Sequence, residues 1–151
     1  MKFTAAILNR FVFFKIPSAY LSGVRVDSVS EDKITVRVRS QWINQNPFKS
    51  MYWATQGMAS ELATGVLMMR KIYSSKKKIS MLVVGQKGEF LKKATGVIYF
   101  DCLDDGQIQK AIDTAVQTGE GQQLVLQSNG VDEQGDIVSK FEYEWGIKLK
   151  Q

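Results

Sequence analysis

Between Lys49 and Arg70 the sequence reads SMYWATQGMASELATGVLMM, with one formal charge, Glu61. Charged residues make up 23% of the chain, so a window of this length would ordinarily hold four or five. A stretch this poor in charge either crosses a membrane or lies inside a fold. It is about long enough to span a bilayer, but Ser50, Thr55, Gln56, Ser60, Glu61 and Thr64 argue against that. The remaining reading is a helix buried on nearly every side. Ser50 can serve as its N-cap, and it runs to about Tyr73, before the solvated turn Lys76-Lys77-Lys78. Met51, Ala54, Met58, Ala59, Leu62, Ala63, Val66, Leu67 and Met69 cover most of its faces. Ala54, Gly57, Ala59, Ser60, Ala63 and Gly65 are small, as close backbone approach demands.

Such a helix must be wrapped, and the rest of the chain reads mostly as strand. Residues 24–30 alternate loosely and 33–39 (KITVRVR) alternate cleanly, with Ile34, Val36 and Val38 on one face. Glu31-Asp32 turns between them, giving a hairpin. Asn44-Gln45-Asn46-Pro47 is loop chemistry. Residues 79–90 and 94–103 are rich in β-branched and aromatic residues, with Gly85, Gly88 and Gly96 as expected bulges or bends. Residues 104–118 form a short amphipathic cover helix through Ile108, Ala111, Ile112, Ala115 and Val116, opened by Asp104 and closed by Gly119. Strands follow at 122–130 and 136–149, joined by the turn Asp132-Glu133-Gln134-Gly135. In the last strand Ile137, Phe141, Tyr143 and Trp145 face one way, and Val138, Lys140, Glu142 and Glu144 the other. The expected class is therefore α+β. About six antiparallel strands wrap one long central helix, in a single domain over residues 1–151.

The amino end, MKFTAAILNRFVFF, resembles a signal peptide superficially, but Asn9 and Arg10 interrupt its apolar run and no small-residue cleavage pattern follows. Phe3, Ile7 and Phe14, with Ala6 and Arg10 between them, fit a short amphipathic helix stopped by Pro17 and packed on the domain.

Composition narrows the chemistry. The chain has no histidine and one cysteine, Cys102. Ser-His-Asp and Cys-His catalysis cannot occur within it, and a zinc site of Cys and His is excluded, so no metal is expected. If the protein is an acid–base catalyst, a carboxylate is the expected titrating group. A lone cysteine forms no internal disulfide, consistent with a cytoplasmic location. Cys102 reads as a small core residue. The net charge of +5 and pI near 9.3 lean towards anionic partners. Aromatic residues do not interleave with the basic stretches as in a stacking platform, so nucleic-acid binding is not expected.

One stretch, NQNPFKSMYWATQGMASELATG (44–65), resembles the hotdog-fold acyl-CoA thioesterases. In one large branch, similar to the phenylacetyl-CoA type, an asparagine starts the loop and a glycine pair opens the central helix. An Asp or Glu follows fifteen residues after the asparagine, and Asn46 to Glu61 is that spacing. NRFVFFKIPSAYLSGVRVDSVSEDKITVRVRSQWINQNPF resembles the tetrameric acyl-CoA thioesterase branch more specifically. GQKGEFLKKATGVIYF and the LDDGQIQKAI helix fit the same pattern. Two departures fall at the chemistry. Trp53-Ala54 stands where that family has its glycines, and Met51 and Tyr52 stand where many members have a nearby histidine.

The resemblance implies hydrolysis of an acyl-CoA to acid and thiol, with coenzyme A entering only as part of the substrate. Backbone N–H groups at Trp53 and Ala54 would hold the oxyanion, because a side chain does not remove a main-chain donor. Glu61 lies about two turns along, roughly 10 Å of rise away. The resemblance places such sites at a dimer interface, so Glu61 of one subunit would meet the helix start of its partner. It would act as base, or as nucleophile through an anhydride. Asn46 would orient the water or the carboxylate. Tyr52 and Met58 join the expected substrate contacts, and Lys87, Lys92 and Lys93 would meet the coenzyme A phosphates. A homodimer, or a tetramer built from dimers, follows from the sheet edges left open. A non-catalytic module binding acyl-CoA or another acyl ligand is the alternative. Acyl dehydratases and hydratases of this fold resemble one another in using a histidine, and none is present.

Overall fold

The charge-poor segment does fold as one long helix, and everything else is arranged around it. The computed structural model describes residues 2–150, so Met1 and Gln151, the ends of the expected 1–151 domain, lie outside the described residues. The chain begins with α1 (Ala5–Lys15) and α2 (Pro17–Leu21), then the hairpin β1 (Arg25–Val29) and β2 (Lys33–Arg39). The central helix α3 (Trp53–Ser75) follows, then β3 (Ile79–Phe90) and β4 (Val97–Leu103). Helix α4 (Gln107–Thr118) and the hairpin β5 (Gln122–Val131) and β6 (Ile137–Leu149) complete it. The strands form one six-stranded sheet in the order β1-β2-β4-β5-β6-β3, antiparallel throughout.

Alternation along the strands decides what touches the helix. Ile34, Val36 and Val38 of β2, Ile98, Phe100 and Cys102 of β4, and Leu124 and Leu126 of β5 are buried. With Phe141, Tyr143, Trp145 and Ile147 of β6 they form one core with Ala59, Leu62, Ala63, Val66 and Leu67 of α3. Complete burial of a side chain such as Leu67 or Phe100 contributes about 1.5–3 kcal/mol. Polar bonds fix the rotation of α3 on β6. The Tyr143 hydroxyl donates to the Gly57 carbonyl at 3.0 Å and shares a 2.8 Å bond with Ser60 Oγ, while Trp145 Nε1 donates to Thr64 Oγ1 at 3.1 Å. Because the hydroxyl groups satisfy the polar ends of these rings, both aromatic residues can be buried.

Three local expectations are corrected. Ser50 does not cap α3, which begins three residues later, at Trp53, without any side-chain cap. The Ser50 hydroxyl is instead bonded to Asn46, 3.0 Å from its Nδ2. Helix α1 buries Leu8 and Val12 rather than a Phe3–Ile7–Phe14 stripe, and Phe14 is exposed. The cause is Asn9, whose amide donates to the Val26 carbonyl at 2.9 Å and accepts the Val26 N–H at 2.8 Å. It thereby sets the rotation of α1 against the edge strand β1 and covers part of that edge. Pro17 does end α1, but as the first residue of α2. In β6, Val138 is buried and Ile137 is not, the reverse of strict alternation. The β5–β6 ladder slips between Gly130 and Val131, whose partners are Ser139 and Ile137, so Val138 is an unpaired bulge residue.

Candidate functional site

The approach to α3 is built by asparagine. Asn44 is buried, accepting the Gln41 N–H and donating to the carbonyls of Ser22 and Arg39, each at 2.9 Å. Asn46 ties up the next turn. Its Oδ1 accepts the N–H of Phe48 at 2.9 Å and of Ser50 at 3.2 Å, and its Nδ2 donates to the Met51 carbonyl at 3.4 Å. The turn carries Lys49 in the left-handed region (φ 59°). Met51 then donates its N–H to the Ala94 carbonyl, and Tyr52 to that of Asn44, both at 2.8 Å. The chain is thus fixed on both sides before the helix starts.

The helix start itself is left open. A helix leaves its first N–H groups without internal acceptors. At α3 the Thr55 N–H turns back to the Tyr52 carbonyl at 3.0 Å, and among the described residues those of Trp53 and Ala54 meet no acceptor. They point out of the positive end of a 23-residue helix. Beside them lies a cavity of about 550 Å³ lined on one side by Asn46, Phe48, Tyr52 and Trp53, and on the other by Phe90, Leu91, Lys92 and Lys93. Tyr52 and Trp53 are half exposed, at 49% and 51%, with their rings edge-on to each other.

Of the residues expected from sequence, Asn46, Tyr52, Trp53, Lys92 and Lys93 line this one cavity, with Ala54 next to them in the chain. Their freedom differs. Lys92 is bonded to Asp132 at 2.6 Å and Asp136 at 2.8 Å, pinning the segment after β3 to the β5–β6 turn. Hydrogen bonding to Asp132 raises the Lys92 pKa, and the same bond lowers that of Asp132. Lys93 remains nearer the opening, its Nζ 3.5 Å from the Phe48 carbonyl. Lys87 lies elsewhere. It pairs in register with Glu142, on the sheet face turned away from α3, and contacts Glu89 at 3.6 Å. Asn46 has its side chain engaged in its own loop, so in this protomer it positions the helix start.

Glu61 lies on a partly exposed stripe of α3 with Ala54, Gly57 and Met58. Among the described residues its carboxylate makes no hydrogen bond or ion pair, and burial raises its pKa above the ordinary carboxylate value. Gly65 lies against it. A methyl group there would lie 3.5 Å from Glu61 Oε1 and 3.4 Å from the Trp145 ring. The neighbouring Tyr143 hydroxyl is pushed up to about 12, chiefly by burial. Glu61 and the Trp53 N–H are separated by about 12 Å of helical rise, so one protomer does not bring them together.

Gln56 carried no functional expectation. It is 4% exposed, lines the cavity, and has no hydrogen-bond partner at its Oε1. The signal in the sequence was a carboxamide one turn into a helix whose same face continues as Ala59, Ser60 and Ala63. Among the described residues no group of three or more His, Cys, Asp or Glu side chains is placed to hold a metal ion, and no helix is long and apolar enough to cross a membrane.

A sheet wrapped around one long helix in this order is the hotdog fold. The chain belongs to the family described as Domain of unknown function (DUF4442), whose model matches residues 4–147. A Pseudomonas aeruginosa protein of unknown function, described as a probable thioesterase, has a similar structure. The two share 21% identity with a TM-score of 0.84, over 96% of each chain. A Chlorobaculum tepidum protein of unknown function gives 14% identity and a TM-score of 0.83, covering 97% of this chain and 94% of that one. A thioesterase from Haemophilus influenzae gives 12% and 0.74, covering 99% and 93%. No curated protein matches the sequence.

Proposed function

We propose that this protein hydrolyses an acyl-CoA thioester, in the cytoplasm, as a homodimer or a tetramer of paired dimers. The observation that carries the reading is the carboxylate of Glu61 on the central helix, unpaired among the described residues, with its pKa raised by burial. A raised value brings a carboxylate closer to the range in which it exchanges protons at neutral pH. Glu61 of one protomer works with the open α3 start of its partner. Glu61 takes a proton from water as the oxygen adds to the thioester carbonyl carbon. The carbonyl oxygen becomes an oxyanion held by the N–H groups of Trp53 and Ala54. Collapse breaks the carbon–sulfur bond, and the proton passes from Glu61 to the departing thiolate. Attack by the carboxylate itself, through an anhydride that water then opens, gives the same products. Lys93 is the lysine best placed for the coenzyme A phosphates, because Lys92 is held by two aspartates.

The test is thiol release from short-, medium- and long-chain and aryl acyl-CoAs. Release from one class is expected, and none above background across the panel overturns the reading. Turnover undiminished in Glu61→Ala removes Glu61 from the chemistry. A second reading, an acyl-CoA-binding module without turnover, is favoured by Trp53, whose half-exposed ring stands at the helix start. Tight binding without thiol release would establish it.

A further inference from the structure

We infer that the outer face of α1 and α2 docks on a membrane surface rich in anionic lipids, lying on the bilayer without crossing it.

The inner face of this helix pair is accounted for by packing. Leu8, Val12 and Ala19 belong to the core, and Asn9 fixes α1 on β1. A second apolar set points outward. Arg10, Phe13 and Phe14 share one stripe of α1 at i, i+3 and i+4. Phe14 is 73% exposed, Leu21 at the end of α2 is 64% exposed, and Phe13 48%. The rings form one connected series. Phe13 meets Phe14 edge-on at 4.8 Å between centroids and Tyr20 at 5.0 Å, and the Arg25 guanidinium lies over the Tyr20 ring, 3.4 Å from its centroid. Next to them the turn Trp42–Asn44 is tied to the end of α2, with Asn44 Nδ2 donating to the Ser22 carbonyl at 2.9 Å. It holds Trp42 83% exposed.

Charge selects the occupant. Residues 2–26 contain Lys2, Arg10, Lys15 and Arg25 and no Asp or Glu, so this segment carries four of the chain's five net positive charges. Among the described residues none of the four makes an ion pair, and the first carboxylate of the chain, Asp27, is taken by Arg37 at 3.0 Å. A symmetric contact with a second copy would set these cations against their own counterparts with no carboxylate between them. An anionic bilayer offers both halves of the face a partner. Its headgroups meet the arginines and lysines, and the phenyl, leucyl and indole groups enter the headgroup boundary, as in interfacial helices.

The experiment sediments the full chain with vesicles of phosphatidylcholine alone and of phosphatidylcholine mixed with phosphatidylglycerol. It is run at physiological ionic strength, where charges more than about 8 Å away are largely screened. Partitioning onto the mixed vesicles should exceed that onto phosphatidylcholine by about tenfold or more, and should fall as salt is added. Each cation held near an anionic surface is worth about fivefold, so Arg10→Gln with Lys15→Gln should lose about 25-fold. Phe14→Ser should lose about tenfold or more. These side chains are exposed, so the variants should melt with the wild type. Lys110→Gln with Lys140→Gln removes the same charge from other faces and should stay within about twofold. An equal loss in that pair overturns the inference, because adhesion would then follow net charge alone. Absence of partitioning onto mixed vesicles, or equal partitioning onto both kinds, overturns it in the wild type itself. Capture by soluble polyglutamate but not by vesicles would assign the face to an acidic protein. Loss of a light-scattering dimer in Phe14→Ser, with no vesicle binding by the wild type, would assign it to a second copy. Either result overturns the membrane assignment.

Discussion

Glu61→Gln separates what the carboxylate does for the fold from what it does for chemistry. Burial raises the native pKa of Glu61, so the native chain holds that proton more tightly than the unfolded chain does. Between the two pKa values, stability falls as pH rises, and above both the wild type carries the whole penalty of a buried charge. Glutamine keeps the shape and removes the charge. Each unit by which burial lifts the pKa corresponds to about 1.4 kcal/mol. A domain of this size shifts by about 2–4 °C per kcal/mol, so the variant should melt about 3–6 °C higher per unit at neutral pH. The gain should shrink on acidification and vanish below about pH 4, where the carboxyl is protonated in both states. Melting followed by circular dichroism at several pH values reads this directly. In the same variant thiol release should fall by about 10²–10⁴-fold, the ordinary contribution of a general base. A melting temperature equal to or below the wild type at neutral pH, or a gain that does not depend on pH, would refute the reasoning.

Three further outcomes can be checked. Gly130→Ala would put a methyl group 2.7 Å from both Phe100 Cε1 and Ser139 Oγ, in the fully buried part of the core. Overpacking of this kind should destabilise by about 1–3 kcal/mol in urea titrations. Asn46→Ala removes the acceptor of the Phe48 and Ser50 N–H groups and should destabilise by about 1–3 kcal/mol, whereas Asn46→Asp keeps that acceptor and should lose less. Cys102 is fully buried and its thiol is pushed up to about 12 by burial, so a thiol reagent should label it only as fast as the chain unfolds.

The central helix and the hairpins were legible because their signals are periodic and local. KITVRVR alternates without a break, and its buried set, Ile34, Val36 and Val38, is the alternating one. What escaped was set by single side chains acting across the chain. Nothing near Asn9 says that it will bond the Val26 backbone and so turn Phe14 outward. The bulge at Val138 depends on the register opposite Gly130, a property of two strands together. Ser50 has the chemistry of a cap, but Asn46 competes for it more closely. At the site, the fifteen-residue spacing selected the loop and the helix, and five of the expected residues line one cavity. It did not separate the lysine held by carboxylates from the one that is not. Lys92 and Lys93 are adjacent in sequence, and only the turn carrying Asp132 and Asp136 distinguishes them.

The absence of a cap on α3 has a consequence for motion. Most helices fasten their first turn with a side chain, and replacing such a cap with alanine loosens a helix by about 0.5–2 kcal/mol. Here the first turn is held by the Thr55–Tyr52 bond and by its flanking loop, while the rest of the helix is locked in the core. Local opening should therefore be concentrated at Trp53 and Ala54, and amide exchange there should outpace that at Val66 or Leu67. A bound anion or oxyanion would supply the missing acceptor. Occupancy of the site and ordering of the first helical turn would then be a single equilibrium, visible as slowed exchange confined to that turn.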